Sequence, residues 1–346
     1  MIAEFKMENF GINHRISWKN LASINILIGE NGSGKTSILK MLYAVLRALE
    51  TNKKGNERRP LPAILADKLY WTFQVEKLGE LVTKSAAEPM RIHVLVDGKS
   101  LDFEFGADTN VTIKRISTEF DEAWEKSIIF IPAKEVLSLF QIILKSREQD
   151  NLFGFDDTYL DLARALGIPA QRGKNSRVFA DGRRSLDKIL GGRAVYDERR
   201  KQWYFKQNNN AKFTLGILSE GIKKLAIFDQ LLANRYLSPH SIVFIDEPES
   251  SLHPKAISDF MELLYMLAKN GMQIFMATHS YFVIKQLCLI AQREQCSIPF
   301  LGLNKNEKGL PQYEDMCNGM PDNSIIEESI RLYQDEVEAT LGEDKR

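Results

Sequence analysis

G-E-N-G-S-G-K-T, Gly29–Thr36, is the stretch that decides the fold of this chain. It matches the pattern G-x-x-x-x-G-K-[ST], a loop whose backbone amides cradle phosphates. Glycines let those amides turn inward and approach phosphate oxygens with no Cβ in the way. The helix that follows adds its positive N-terminal end. In such a loop the Lys35 ammonium reaches the β- and γ-phosphates, and the Thr36 hydroxyl ligates magnesium. The flanks agree with this reading. I-N-I-L-I, Ile24–Ile28, is a short apolar run ending at a glycine, as a buried strand should be. Residues 35–49 put Ile38, Leu42, Val45, Leu46 and Leu49 on one helical side.

Three further stretches point to the same chemistry. S-I-V-F-I-D-E-P, Ser241–Pro248, reads as a buried strand that delivers two carboxylates at its C-terminal end. Ligands bind at that edge of parallel α/β sheets. Asp246 is expected to hold magnesium with Thr36, and Glu247 to act as general base or to orient the attacking water. L-S-E-G, Leu218–Gly221, opens a helix. Ser219 there suits an N-cap, and the same free amides and helix dipole suit a γ-phosphate. M-A-T-H-S ends a strand at His279, which fits either a phosphate sensor or a structural histidine. Between them, E-S-S-L-H-P (Glu249–Pro254) leads into a helix with Pro254 near its first position.

Outward from these motifs, strands are expected at Ile2–Phe10 and Arg15–Trp18, and helix over 61–87. Residues 92–105 read as a hairpin turning at Asp97-Gly98, extended by Val111–Ile116. Ser127–Ile131 is another buried strand, and 133–190 is mainly helical. A second hairpin fits 191–205. Helices 220–235, 254–269 and 281–292 then alternate with strands 241–245 and 272–277, which argues for a largely parallel sheet.

Composition closes off other classes. The chain has 346 residues, with 46 Lys+Arg against 46 Asp+Glu, so a uniformly basic nucleic-acid coat is excluded but a local patch is not. Three cysteines make no disulfide framework, and Cys288, Cys296 and Cys317 lack zinc-site spacing. No apolar run is long enough for a membrane span, and the N-terminus does not read as a signal peptide. A cytoplasmic protein without a membrane partner is expected.

The order of these motifs resembles an ABC-type P-loop ATPase of the non-transporter branch: RecF, SMC heads and OLD-like bacterial anti-phage defence ATPases. D-E-P-E-S-S-L-H-P and A-T-H-S are especially similar to the OLD-like group. The resemblance covers about residues 1–49 and 212–305. It implies an α/β head with a mixed, mostly parallel sheet, an antiparallel β subdomain and a helical insertion. It implies that Gly29, Asn31, Gly32, Ser33, Gly34, Lys35, Thr36 and Ser37 hold ATP, that Thr36 and Asp246 hold Mg²⁺, and that Glu247 is the catalytic carboxylate. Lys35 and His279, the switch histidine, would assist. Ser219, Glu220 and Gly221 would contact ATP on the opposite subunit, with Ser251 at the seam of a head-to-tail homodimer or higher homo-oligomer. The signature departs from the transporter form, reading L-S-E-G-I-K-K. Gln141 is a candidate for the Q-loop, and Asn13 or Arg15 for adenine.

The expected division is an ATPase core (1–49 and 195–320), a helical and antiparallel insertion (50–137), a helical, partly basic insertion (138–194) and an acidic amphipathic C-terminal helix (321–346). About 180 residues separate Thr36 from Ser219, and no heptads run through them. Residues 171–193 carry Arg172, Lys174, Arg177, Arg183, Arg184, Lys188 and Arg193 against two acids, a surface for DNA or RNA or a solvated loop. The tail puts Ile326, Ile330, Tyr333, Val337 and Leu341 on one stripe, for its own domain or for an effector. It is too short for the TOPRIM nuclease of OLD-like proteins, which places any nuclease or toxin effector on a separate chain. The leading expectation is a sensor and scaffold ATPase of bacterial defence. The alternatives are a RecF-like, ATP-dependent DNA-binding repair ATPase and, behind it, a transporter ATPase subunit.

Overall fold

The strand before the phosphate loop is buried throughout because both of its faces are covered. The computed structural model describes residues 1–171, 177–303 and 311–343. The chain opens with β1 (Ile2–Phe10), β2 (Asn13–Lys19) and β3 (Ile24–Ile28), then α1 (Lys35–Thr51) and α2 (Leu61–Phe73). Next come β4 (Met90–Val96), β5 (Lys99–Phe105), β6 (Arg115–Thr118) and β7 (Ile128–Ile131). A helical stretch holds α3 (Phe140–Leu144), α4 (Asp157–Leu166) and α5 (Arg177–Leu190). β8 (Gly192–Asp197), β9 (Gln202–Gln207) and β10 (Lys212–Thr214) form an antiparallel meander. The last part runs α6 (Glu220–Ala233), β11 (Ile242–Asp246), α7 (Pro254–Lys269), β12 (Gln273–Thr278), α8 (Tyr281–Glu294), β13 (Pro299–Gly302), β14 (Gln312–Asp315) and α9 (Ser324–Glu343).

β3 sits inside a six-stranded sheet ordered β14-β13-β3-β12-β11-β7, parallel except for β14 at one edge. Its residues alternate between two cores: Ile24, Ile26 and Ile28 join the layer of α6, α7 and α8, whereas Leu27 joins α1. A second sheet, β2-β1-β4-β5-β6, is wholly antiparallel and covers the other side of α1. That is why α1 is buried nearly all round. Tyr43 meets Phe130 and Phe244 edge-on, at 5.6 and 6.1 Å between ring centres. Trp18 on β2 meets Phe275 on β12 at 5.8 Å and 84°, so the two sheets touch directly. Gln273 ties them: its side-chain oxygen accepts from the Ile2 amide at 2.7 Å and its amide donates to the Ile2 carbonyl at 2.8 Å. Phe244→Ala would open a cavity in this layer, worth about 3–5 kcal/mol.

Several expectations need correcting. The helix expected over 61–87 ends at Phe73, where Gln74 adopts φ +52°. Leu78–Leu81 form a 3-10 turn, and the Leu81 carbonyl accepts from the Gly11 amide at 2.9 Å. Their apolar side chains anchor that turn to the antiparallel sheet instead of prolonging a helix. The strand expected from Val111 begins only at Arg115, because the Thr109 and Asn110 carbonyls hold the 3-10 turn. The boundary at residue 137 cuts across a sheet. β7 lies on the 50–137 side yet pairs with β11, and β4 pairs with β1. Strand pairing is non-local, so insertion boundaries drawn along the sequence do not follow it.

Candidate functional site

The phosphate loop runs from the end of β3 to the start of α1 with two glycines in the left-handed region, Gly32 at φ +77° and Gly34 at φ +91°. A Cβ on Gly34 would stand 2.5 Å from Asn13 Nδ2, and one on Gly29 2.9 Å from Ser33 Oγ. The loop therefore needs glycine for close packing as well as for φ. Lys35 is 8% exposed and donates to the Gly29 and Glu30 carbonyls at 2.7 and 2.8 Å. Burial pushes its ammonium below the ordinary lysine range, against the pull of Asp246, Glu247 and Glu249.

β11 brings its carboxylates to this loop. The Thr36 hydroxyl lies 3.0 Å from each Asp246 carboxylate oxygen. Burial pushes the Asp246 carboxyl up, and the Thr36 hydrogen bond partly offsets this. The next residue, Glu247, turns the chain with φ +46°, an uncommon conformation for a side-chain-bearing residue. Its carboxylate stays half-open, 3.5 Å from His279 Nδ1 at the end of β12. Glu249 lies beneath the pair. It accepts from the Thr278 hydroxyl at 2.8 Å and the His279 amide at 3.3 Å.

A cavity of about 430 Å³ opens onto the phosphate loop and Glu247. Asn31, Gly32, Gly34, Lys35, Thr36, Ser37 and Glu247 line one end. Phe10, Ile12, Asn13, Phe73, Glu80 and Leu81 line the other. Of the two adenine candidates, Asn13 is in this cavity. Arg15 is not; it is exposed and 3.6 Å from Glu8. Gln141 also lies elsewhere. Its amide donates to the Tyr196 hydroxyl at 2.7 Å and it lines a different cavity, so the Q-loop expectation fails there. The strand-end position is taken by β7 and Pro132, and α3 carries Gln141 away toward the meander, where its neighbour Phe140 packs on Tyr196 and Trp203.

Ser219, Glu220 and Gly221 line none of this cavity. Ser219 caps α6, its hydroxyl accepting from the Ile222 amide at 3.4 Å. Gly221 packs against the other expected seam residue: a Cβ there would stand 2.4 Å from the Ser251 carbonyl. Ser219, Glu220 and Ser251 are exposed. Within one chain the phosphate loop, Asp246, Glu247 and His279 come together, while the L-S-E-G segment joins the Ser251 loop.

Two contributors escape sequence reading. Lys224, on α6, is 2% exposed and donates to the Asp246 and Glu247 carbonyls; burial lowers its ammonium to about 8. Its signal was its helical position, since Gly221, Lys224, Leu225 and Phe228 share the buried face. Glu249 was visible only as part of the run D-E-P-E. Of the basic segment, Arg172 and Lys174 lie outside the described residues. Arg183 pairs with Asp229 at 3.0 Å and Arg184 with Asp181.

The donor set fits a magnesium nucleotide. A hydroxyl and a carboxylate converge where the metal would sit, and among the described residues Asn13 Nδ2 and Ser33 Oγ are buried at the loop without a hydrogen-bond partner. Phosphate or ribose oxygens would satisfy such donors.

Comparison with known proteins bears on the fold and the kind of ATPase. Residues 131–285 match the family described as "AAA domain, putative AbiEii toxin, Type IV TA system". A stretch of 41 residues is 46% identical to the Old nuclease of Escherichia phage P2, covering 12% of this chain and only 7% of that nuclease. Among solved structures, an SMC head bound to the C-winged helix domain of ScpA superposes with a TM-score of 0.53 at 13% identity, over 91% of this chain and 97% of that one. The chain thus has the α/β fold of an SMC-type head and resembles P-loop ATPases of the SMC and OLD kinds. Among the described residues no helix is long and apolar enough to cross a membrane.

Proposed function

We propose that this P-loop chain hydrolyses ATP, that two copies pair head to tail to complete each site, and that this closure controls a separate effector. The observation that carries the reading is the Thr36 hydroxyl held 3.0 Å from both Asp246 oxygens, beside Lys35 and Glu247, while Ser219–Gly221 stay outside the cavity. One chain then supplies the phosphate loop and the carboxylates, and the exposed N-terminus of α6 remains for the γ-phosphate of a partner.

Magnesium held by Thr36 and Asp246 would neutralise phosphate charge and orient the chain of phosphates. Phosphate oxygens are stronger acceptors for Lys35 than the two carbonyls it now holds. Glu247 takes the proton of the attacking water, and His279 at 3.5 Å keeps that carboxylate aimed. Lys224 holds the Asp246–Glu247 backbone from below. Because Lys224 and Ser219 share α6, a partner engaging Ser219 would press on the same helix that steadies Glu247.

The wider role rests on the comparisons. The matched family's description, which names a toxin of a toxin–antitoxin system, and the short Old nuclease stretch support action with a nuclease or toxin on another chain, and a cytoplasmic role in bacterial anti-phage defence is proposed as the setting. The second reading, a RecF-like DNA-binding ATPase, is favoured by the cross-strand alignment of Arg193, Lys206 and Lys212. The test is phosphate release and sedimentation of the purified chain. Magnesium-dependent turnover and an ATP-bound dimer of Glu247→Gln are expected. No retained nucleotide, or no pairing at any concentration, overturns the reading.

A further inference from the structure

The meander β8–β10 has one face in the core and one face out. Ala194, Trp203 and Phe205 are buried, and Trp203 packs on Phe140 at 5.8 Å. The alternate positions face outward. In register across the three strands they bring Arg193 opposite Lys206 and Lys206 opposite Lys212. Like charges directly opposite each other on a sheet are unfavourable. None of the three has an ion pair among the described residues; Lys212 rests over the Tyr204 ring at 4.9 Å. Of the nearby carboxylates, Asp197 is used by its own turn, accepting from the Arg199 and Arg200 amides at 3.0 and 3.1 Å, and Glu198 lines a cavity together with Arg193, Tyr204 and Lys206 but forms no ion pair with them among the described residues.

The same molecule contains the ordinary arrangement. On the exposed face of the five-stranded sheet, basic side chains stand beside carboxylates. Arg91 pairs with Glu104 at 2.9 Å, Arg115 also reaches Glu104, and His93 meets Asp102 at 2.7 Å, all in cross-strand register. The meander therefore departs from the way this chain otherwise builds a solvated face. Its row continues beyond β8 into a cleft of about 520 Å³ toward α5, lined by Arg183, Arg184, Arg193, Lys206, Asn208 and Asn210. The two carboxylates in that cleft are engaged, Asp229 by Arg183 and Asp187 by the Asn208 amide at 3.4 Å.

We propose that the outer face of the meander is a docking track for the phosphate backbone of a nucleic acid, carried by the row Arg193–Lys206–Lys212. Three strands put these cations along a line of about 10 Å, which continues over the cleft to α5. A line of cations suits a repeating polyanion better than a single phosphate group. Tyr204, half-buried in the next row, offers an aromatic edge to a base. This proposal does not rest on the ATPase reading, since none of these residues lines the phosphate-loop cavity.

The test is anisotropy of labelled single-stranded and duplex DNA and of RNA with the full chain, without nucleotide, between about 50 and 200 mM salt. Wild type is expected to bind with a steep salt slope. R193E/K206E/K212E should lose at least tenfold in affinity, with the slope of log K against log salt falling by about 2 to 3. Its ATP turnover and melting temperature should stay at the wild-type values. If the reversals unfold the chain, R193Q/K206Q/K212Q should give the same fall in slope. R91Q/R115Q on the other sheet should leave binding unchanged. Tighter binding of single strands than duplex, weakened by Tyr204→Ala, would support contact with unpaired bases. Absence of nucleic-acid binding at low salt, or equal slopes for wild type and both triple variants, overturns the proposal.

Discussion

The two ends of the proposed ATP site are built in opposite ways. The phosphate-loop end is closed within one chain. Thr36 and Asp246, 210 positions apart, are hydrogen-bonded, and Lys35 is buried against its own loop. The L-S-E-G end is exposed at Ser219 and Glu220, while Gly221 packs closely against the Ser251 carbonyl and Leu252. The difference teaches that the first end can bind on its own. The second would need something brought to it. Lys224, on the helix that begins at L-S-E-G, is bonded to the carbonyls of the first end and links the two directly.

Mutations should separate the ends. Lys35→Ala should have the largest effect, removing nucleotide binding and turnover together, as equilibrium binding of a fluorescent ATP analogue would report. Turnover at the wild-type rate would break the assignment of the closed end. Glu247→Gln should lower turnover by about a hundredfold or more, the range for loss of a general base. It should leave nucleotide affinity intact and accumulate dimers in sedimentation.

Gly221→Ala bears on the open end. Its Cβ would meet the Ser251 carbonyl at 2.4 Å, so the seam must shift, at a cost of about 1–3 kcal/mol. Nucleotide affinity of the dilute chain should be unchanged, while the rise of specific activity with protein concentration should flatten. A loss of affinity instead would mean that the two ends are not separable.

Lys224→Met should give the smallest effect, a few-fold change in turnover together with an altered pH profile of stability. Burial lowers Lys224 to about 8 from its ordinary 10.5. Between those values the unfolded chain holds the proton more firmly, so wild-type stability gains from this lysine as pH rises from 8 toward 10.5. Below pH 8 the charged, buried form carries its full cost, on the order of 3 kcal/mol. The difference in melting temperature between variant and wild type should therefore narrow as pH rises. A pH-independent difference would place the lysine in solvent.

Local motifs were legible because each is a few residues whose chemistry is self-contained. Gly32 and Gly34 had to be glycine for φ, and Asp246 and Glu247 end an apolar strand. The 3-10 turn at Leu78–Leu81 was not legible, since Leu78, Leu81 and Val82 fit a helical stripe as well as a sheet anchor. Gln141 was misplaced because the position of a strand-end residue depends on where the chain goes after Pro132. Lys224 was hidden because a lysine inside an amphipathic helix reads as surface unless the partner carbonyls are known.

By itself, the sequence determined that this chain has a phosphate loop, a parallel sheet ending in two acids and a helix opening at L-S-E-G. Glycine, alternation and strand-end carboxylates act over a few neighbouring bonds. Only the tertiary structure decided that Thr36 meets Asp246, that Gly221 leans on Ser251, and that Arg193, Lys206 and Lys212 form one row. Those relations depend on strand register and helix packing, where contacts between distant segments compete for the same surface and no short stretch contains the outcome.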